Sequence, residues 1–204
     1  MSKPTLGIIG GGQLGSLLCS AAKKLKIKTI IFSDDQNAPA QNFSDGFICG
    51  KYDDSSKINK FVNQVNVITY EFENIPFKTL DEINKKKRVL PKPSINKIIQ
   101  NRLAEKDFIN NLNIRTTQYT HIDKRSQLEK AKDLLPGLLK TTTLGYDGKG
   151  QFFLNNIKTV KDLDINFSEG YILEKLVKLK KEISIIITRF DEKKYEIYEP
   201  IENL

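Results

Sequence analysis

Thr5-Leu6-Gly7-Ile8-Ile9-Gly10-Gly11-Gly12-Gln13-Leu14-Gly15 begins as an apolar run, breaks on three glycines and continues into Leu14, Leu17, Leu18, Ala21, Ala22 and Leu25 at helical spacing. Lys28 to Phe32 is a second short β-branched run, so the segment predicts a βαβ unit. Gly10 to Gly15 fits GxGxxG between a strand and a helix, where a glycine turn lets backbone N–H groups at the helix N-terminus approach a phosphate. Two meanings stay open at this point. One is a dinucleotide site, with Asp34 or Asp35 as the acid about 20 residues on. The other is a tight βα turn with no ligand.

The alternation continues down the chain. Phe47 to Cys49, Val65 to Tyr70 and Arg88 to Leu90 read as further strands, Ser55 to Val62 as a helix capped by Ser55 or Ser56, and Pro76 to Lys86 as a helix opened by proline. This order predicts a parallel sheet with helices on both faces. The pattern changes after Pro93. A helix capped at Ser94 and a second from Arg102 to Leu112 precede strand-rich sequence: Leu138 to Thr142, Gln151 to Leu154, Tyr171 to Leu173, Ile183 to Thr188 and Tyr195 to Tyr198, the last two forming a hairpin. A domain boundary is expected near residues 91 to 97.

Composition narrows the class of protein. The 204 residues are 39% hydrophobic and 28% charged, near globular averages, and no run of about 18 apolar residues offers a membrane span. No secretory leader is visible at Met1 to Pro4, so a soluble, cytoplasmic protein is expected. Cys19, Cys49 and the single His121 supply neither a disulfide framework nor a zinc site, and both cysteines are expected to be buried hydrophobes. The net charge of +8 suits an anionic partner. Yet only five of the 33 basic residues are arginine and the lysines lack aromatic interleaving, which argues for a solvated surface and against nucleic acid.

Four stretches carry chemistry. Tyr70-Glu71-Phe72-Glu73-Asn74-Ile75-Pro76 follows a strand, and alternation places Glu71 and Glu73 on one side, where they either position an amine-bearing substrate or cap a solvated strand end. Lys140 ends an apolar strand and is followed by Gly145, Gly148 and Gly150, a glycine-rich hairpin able to fold over polyphosphate, although no Walker A pattern is present. Arg102 and Lys106 share a helix face where two cations meet phosphates or solvent. Glu174 and Glu182 flank the lysine-rich segment Lys175 to Lys181.

In order and spacing, GGGQLG at 10–15, YEFENIP at 70–76, NRLAEKDF at 101–108, KTTTLGYDGKGQ at 140–151 and EKLV at 174–177 with Glu182 resemble the N5-carboxyaminoimidazole ribonucleotide synthase family of ATP-grasp ligases. The resemblance implies an α/β chain: a Rossmann-like pre-ATP-grasp domain over 1–96, then the N-terminal, incomplete part of an α+β ATP-grasp domain over 97–204. It implies ATP-dependent carboxylation of 5-aminoimidazole ribonucleotide with bicarbonate through carboxyphosphate. Gly12, Gln13 and Leu14 would bind the ribonucleotide phosphate, and Glu73 and Tyr146 would face the reacting amine. Arg102 and Lys140 would hold ATP phosphates, and Lys140 is also expected to be catalytic. Gly145, Tyr146, Asp147, Gly148, Lys149, Gly150 and Gln151 would close over them, and Glu174, Lys175, Leu176, Val177 and Glu182 would receive adenine and ribose. Magnesium is implied with no metal ligand in these residues, its acids being expected in a further C-terminal part that family members carry. A homodimer is implied for the full length, and the 204 residues alone are not expected to turn over. Capture of a phosphorylated ligand without catalysis, a different ATP-grasp ligase and a nicotinamide-dependent oxidoreductase are the competing expectations.

Overall fold

The computed structural model describes residues 4–145, 150–156, 158, 160 and 163–203. Strands β1 (Thr5–Ile9), β2 (Lys28–Ser33), β3 (Gly46–Cys49) and β4 (Val67–Tyr70) form an all-parallel sheet in the order β3-β2-β1-β4. Helix α1 (Gln13–Lys24) crosses from β1 to β2 and α2 (Ser55–Gln64) from β3 to β4, and α3 (Phe77–Asn84) follows β4. Alternation along β1 and β2 divides the apolar side chains between two faces. Ile8 and Ile31 pack with Cys19 of α1, while Ile9 and Phe32 join Phe61 and Val62 of α2 and Leu80 and Ile83 of α3. Phe61 is fully buried with its ring 5.5 Å from that of Phe32, and burying a side chain of this size contributes roughly 1.5–3 kcal/mol.

Local chemistry shifts several expected boundaries. The cap of α2 is Asp54, whose Oδ1 accepts the Lys57 N–H at 3.0 Å, so Ser55 and Ser56 fall inside the first turn. Asp54→Ala should cost about 1 kcal/mol, read as a lower urea midpoint with an unchanged slope. Helix α4 (Pro93–Ile99) takes Pro93 into its first turn, where the missing N–H is harmless, and Ser94 is therefore not a cap. Arg88 to Leu90 contributes one bridge, Val89 to Ile68, in place of a strand. Pro91 follows at once and has no N–H to extend the ladder. Cys49 lies on edge strand β3 and is half-buried, unlike Cys19.

Helix α5 (Arg102–Asn111) follows α4 and is capped by Asn101, which accepts the Ala104 N–H at 3.0 Å. A second, antiparallel sheet runs in the order β5-β8-β6-β7, from β5 (Tyr119–Ile122), β6 (Gly137–Thr141), β7 (Gln151–Leu154) and β8 (Tyr171–Lys175). Helix α6 (Arg125–Lys130) lies between β5 and β6, and Ile122, Leu128, Leu139, Leu154, Tyr171 and Leu173 form this sheet's core. The expected strand Ile183 to Thr188 is two strands with different partners. β9 (Glu182–Ser184) pairs with β12 (Ile201–Asn203), and β10 (Ile187–Arg189) pairs with β11 (Tyr195–Ile197), the latter being the expected hairpin. Residues 175–203 are exposed throughout.

Candidate functional site

The order β3-β2-β1-β4 places the topological switch point between β1 and β4, whose carboxyl ends carry Gly10 and Glu71. Ligands of open α/β sheets bind in the crevice outside such a point. Gly10 turns the chain with φ +102°, its N–H bonded to the Phe32 carbonyl at 2.8 Å. A Cβ at Gly12 would stand 3.0 Å from Glu71 Oε1. The Glu71 backbone N–H reaches the Ile9 carbonyl at 3.0 Å, and its side chain folds back to accept the Gly12 N–H at 2.9 Å. A carboxylate thus rests on one of the N–H donors that the family resemblance assigns to a phosphate. Gln13 and Leu14 open α1 and are exposed.

β4 ends at Tyr70, so strand alternation does not carry through to Glu71 and Glu73. Glu73 is exposed, and its carbonyl accepts from Gln100 Nε2 at 2.6 Å. Sequence reasoning paired the two acids; the fold puts Glu71 alone of the two against the turn, a difference the missing strand continuation explains. Tyr52 was not singled out from sequence. Its ring packs 6.1 Å from Phe32 and 6.4 Å from Phe72. Burial, then the charge of Asp34 and a hydrogen bond to it, raise the Tyr52 hydroxyl far above the ordinary tyrosine range, with Glu71 adding to the shift. The phenol therefore stays protonated beside two acids. Asp35 accepts the Asn37 N–H at 2.8 Å within its own loop.

The second cluster lies where α5 crosses the antiparallel sheet. Lys140 stands opposite Ile172, and Glu174 lies two residues further along β8, so both side chains share one face. Lys140 Nζ is 2.9 Å from Glu174 Oε2, and Lys106 Nζ approaches Oε1 of the same carboxylate at 3.3 Å. These side chains are 20%, 11% and 17% exposed, in the order Lys140, Glu174, Lys106. Lys106 also lies 5.6 Å from the centroid of the Tyr119 ring, whose hydroxyl donates to Asp107 at 2.7 Å. Arg102 binds at the head of α5. Its N–H reaches the Thr142 carbonyl at 2.8 Å, and its guanidinium donates to the carbonyls of Thr141, at 2.8 Å, and Gly145. Those acceptors are uncharged carbonyls, and two ammonium groups share the single Glu174 carboxylate, an arrangement that suits a polyanion.

β6 and β7 form the expected glycine-rich hairpin, with the Thr141 N–H on the Gly150 carbonyl at 2.9 Å and Gln151 opposite Lys140. Tyr146, Asp147, Gly148 and Lys149 lie outside the described residues. Lys175 leaves β8 with its N–H on Gln118, and the Leu176 N–H binds the Pro136 carbonyl at 2.9 Å, while Leu176 and Val177 are exposed. Glu182 is drawn to Asn203 across the β9–β12 pair at 3.1 Å. Glu182 thus meets β12, whereas Glu174 is held by the two lysines. Among the described residues, no group of three or more His, Cys, Asp or Glu offers a metal site, and no helix is long and apolar enough to cross a membrane.

A family model described as the ribonucleotide synthetase preATP-grasp domain matches residues 3–100, and one described as the ATP-grasp domain matches residues 107–204. A parallel αβ domain joined to a glycine-hairpin sheet of this kind defines an ATP-grasp protein. N5-carboxyaminoimidazole ribonucleotide synthase of Brucella melitensis is 36% identical over 206 residues, covering 98% of this chain and 57% of its own length. The protein of that name in Staphylococcus aureus strain COL is 32% identical over 188 residues, covering 91% and 50%. A crystal structure of an N5-carboxyaminoimidazole ribonucleotide synthetase in complex with ADP superposes with a TM-score of 0.92 at 34% identity, over 100% of this chain and 55% of that one. The chain belongs to the N5-carboxyaminoimidazole ribonucleotide synthase family. It spans about half the length of these relatives.

Proposed function

We propose that this chain supplies the ribonucleotide-binding domain, residues 1–96, and the glycine-hairpin part of the ATP site, residues 97–204, of a cytoplasmic ligase. The reaction is carboxylation of 5-aminoimidazole ribonucleotide by ATP and bicarbonate through carboxyphosphate. The observation that carries this reading is the pair of ammonium groups, Lys106 and Lys140, on the one Glu174 carboxylate beside the glycine hairpin, with Arg102 on the carbonyls of Thr141 and Gly145.

In this reading the ribonucleotide phosphate takes the N–H groups of Gly12, Gln13 and Leu14. Glu71 then leaves the Gly12 N–H that it occupies at 2.9 Å and turns to the amine end of the substrate, with Glu73 and Tyr146 nearby. Arg102 and Lys140 bind the ATP phosphates and stabilise charge on the group in transfer. Residues 145–151 fold over them and exclude water, which otherwise destroys carboxyphosphate. Lys175, Leu176, Val177 and Glu182 line the adenine and ribose. Magnesium on the phosphates and a homodimer belong to the same proposal. Among the described residues no cluster of three or more acids, histidines or cysteines would hold the ion, and Glu174 already carries two ammonium groups.

ATP consumption that requires both bicarbonate and 5-aminoimidazole ribonucleotide is the expected result, and consumption indifferent to the ribonucleotide would count against the assignment. A second reading, capture of the ribonucleotide without turnover, rests on the glycine turn at the switch point between β1 and β4. Calorimetry showing heat with the ribonucleotide, abolished by Gly12→Val, in a protein that consumes no ATP would favour it.

A further inference from the structure

Glu174 is one carboxylate shared by two lysines that come from different elements, Lys106 from α5 and Lys140 from β6. The two ion pairs are not equivalent. Lys140 sits beside the glycine hairpin, directly opposite Gln151 on β7. Lys106 is set back over the Tyr119 ring, 5.6 Å from its centroid, on a face where Tyr119 is itself held by Asp107 and Asn110 at 2.7 and 3.0 Å. A largely buried carboxylate with a single cation holds that cation strongly, because separating them leaves a charge without a partner. With two cations it can release one and stay neutralised.

On the nucleotide reading given above, we infer that Lys106 is a positioning residue. It stays on Glu174 and so frees Lys140 to turn to phosphate, without touching the nucleotide itself. The alternative use of the same lysine is as a direct phosphate ligand, as its place four residues from Arg102 on one helix face suggests. The two roles differ in how they depend on Glu174. A positioning lysine is needed only while the carboxylate is there; a phosphate ligand is needed in either case.

The test is calorimetric titration of the chain and its variants with ADP in magnesium chloride. Lys106→Met is expected to weaken ADP about tenfold and Lys106→Arg to stay within about threefold of the unmodified chain. In a Glu174→Gln background, adding Lys106→Gln is expected to change ADP affinity by less than about threefold; this neutral pair keeps the comparison available if Lys106→Met does not fold. An equal tenfold loss in both backgrounds overturns the inference in favour of direct contact, and unchanged affinity in Lys106→Met overturns it outright. No binding of ADP by the unmodified chain overturns the nucleotide reading, and the inference with it.

Discussion

Gly10→Val is expected to lower the stability of the parallel-sheet domain by roughly 2–6 kcal/mol, a large share of the 5–15 kcal/mol typical of a folded protein. Two costs add. At φ +102° a β-branched side chain is strained whatever space surrounds it. The added Cβ would also lie 2.5 Å from Glu71 Cγ and 2.8 Å from its Oε1, so the carboxylate has to leave the Gly12 N–H and the turn loses the contact that closes it. Urea unfolding should show a much lower midpoint, with Gly10→Ala in between. An unchanged midpoint would mean that Glu71 does not pack on this turn in solution.

Lys140→Met is expected to weaken ADP by roughly 2–3 kcal/mol, on the order of 30- to 150-fold, through loss of a charge-assisted contact to phosphate. Thermal stability should fall much less, because Glu174 retains Lys106 at 3.3 Å and is not left as an unpaired buried charge. Ribose 5-phosphate, whose proposed donors are the N–H groups at Gly12 to Leu14, should bind as before. Calorimetry with both ligands separates the outcomes. A matching loss for both indicates global damage, and an undiminished ADP affinity removes Lys140 from the phosphate site.

Much of this architecture was legible in the sequence because its signals are local. The run Thr5 to Ile9, the glycines and the leucine spacing of α1 each specify their own conformation, and the strand limits of β1 and β7 match the structure to the residue. The failures arise where a decision depends on a distant partner. Ile183 to Thr188 is uniformly strand-like, and only its two different partners, β12 and β11, divide it. Glu71 and Glu73 are equivalent by spacing, and the neighbouring end of β1 distinguishes them. The carboxylate joining Lys106 and Lys140 is 68 and 34 residues away from them, brought in by the β6–β8 register. Capping at Asp54 was a closer miss: Asp and Ser compete on nearly equal terms, and the choice turned on which oxygen reaches the Lys57 N–H.

The strands β9 to β12 form two separate two-stranded ladders, and Ile183, Ile187, Tyr195, Ile197 and Ile201 are all more than half exposed. A strand with a free edge and apolar side chains is a template for pairing with another chain. Lys178, Lys180, Lys181, Lys193 and Lys194 lie beside these strands together with Glu182, Asp191, Glu192, Glu196, Glu199 and Glu202, and charged side chains near an edge oppose such pairing. Because basic and acidic side chains balance in this segment, the protection comes from the cost of burying its charges and not from the +8 net charge of the whole chain. Such protection depends little on ionic strength, whereas repulsion from the +8 as a whole is screened beyond about 8 Å at 0.15 M salt.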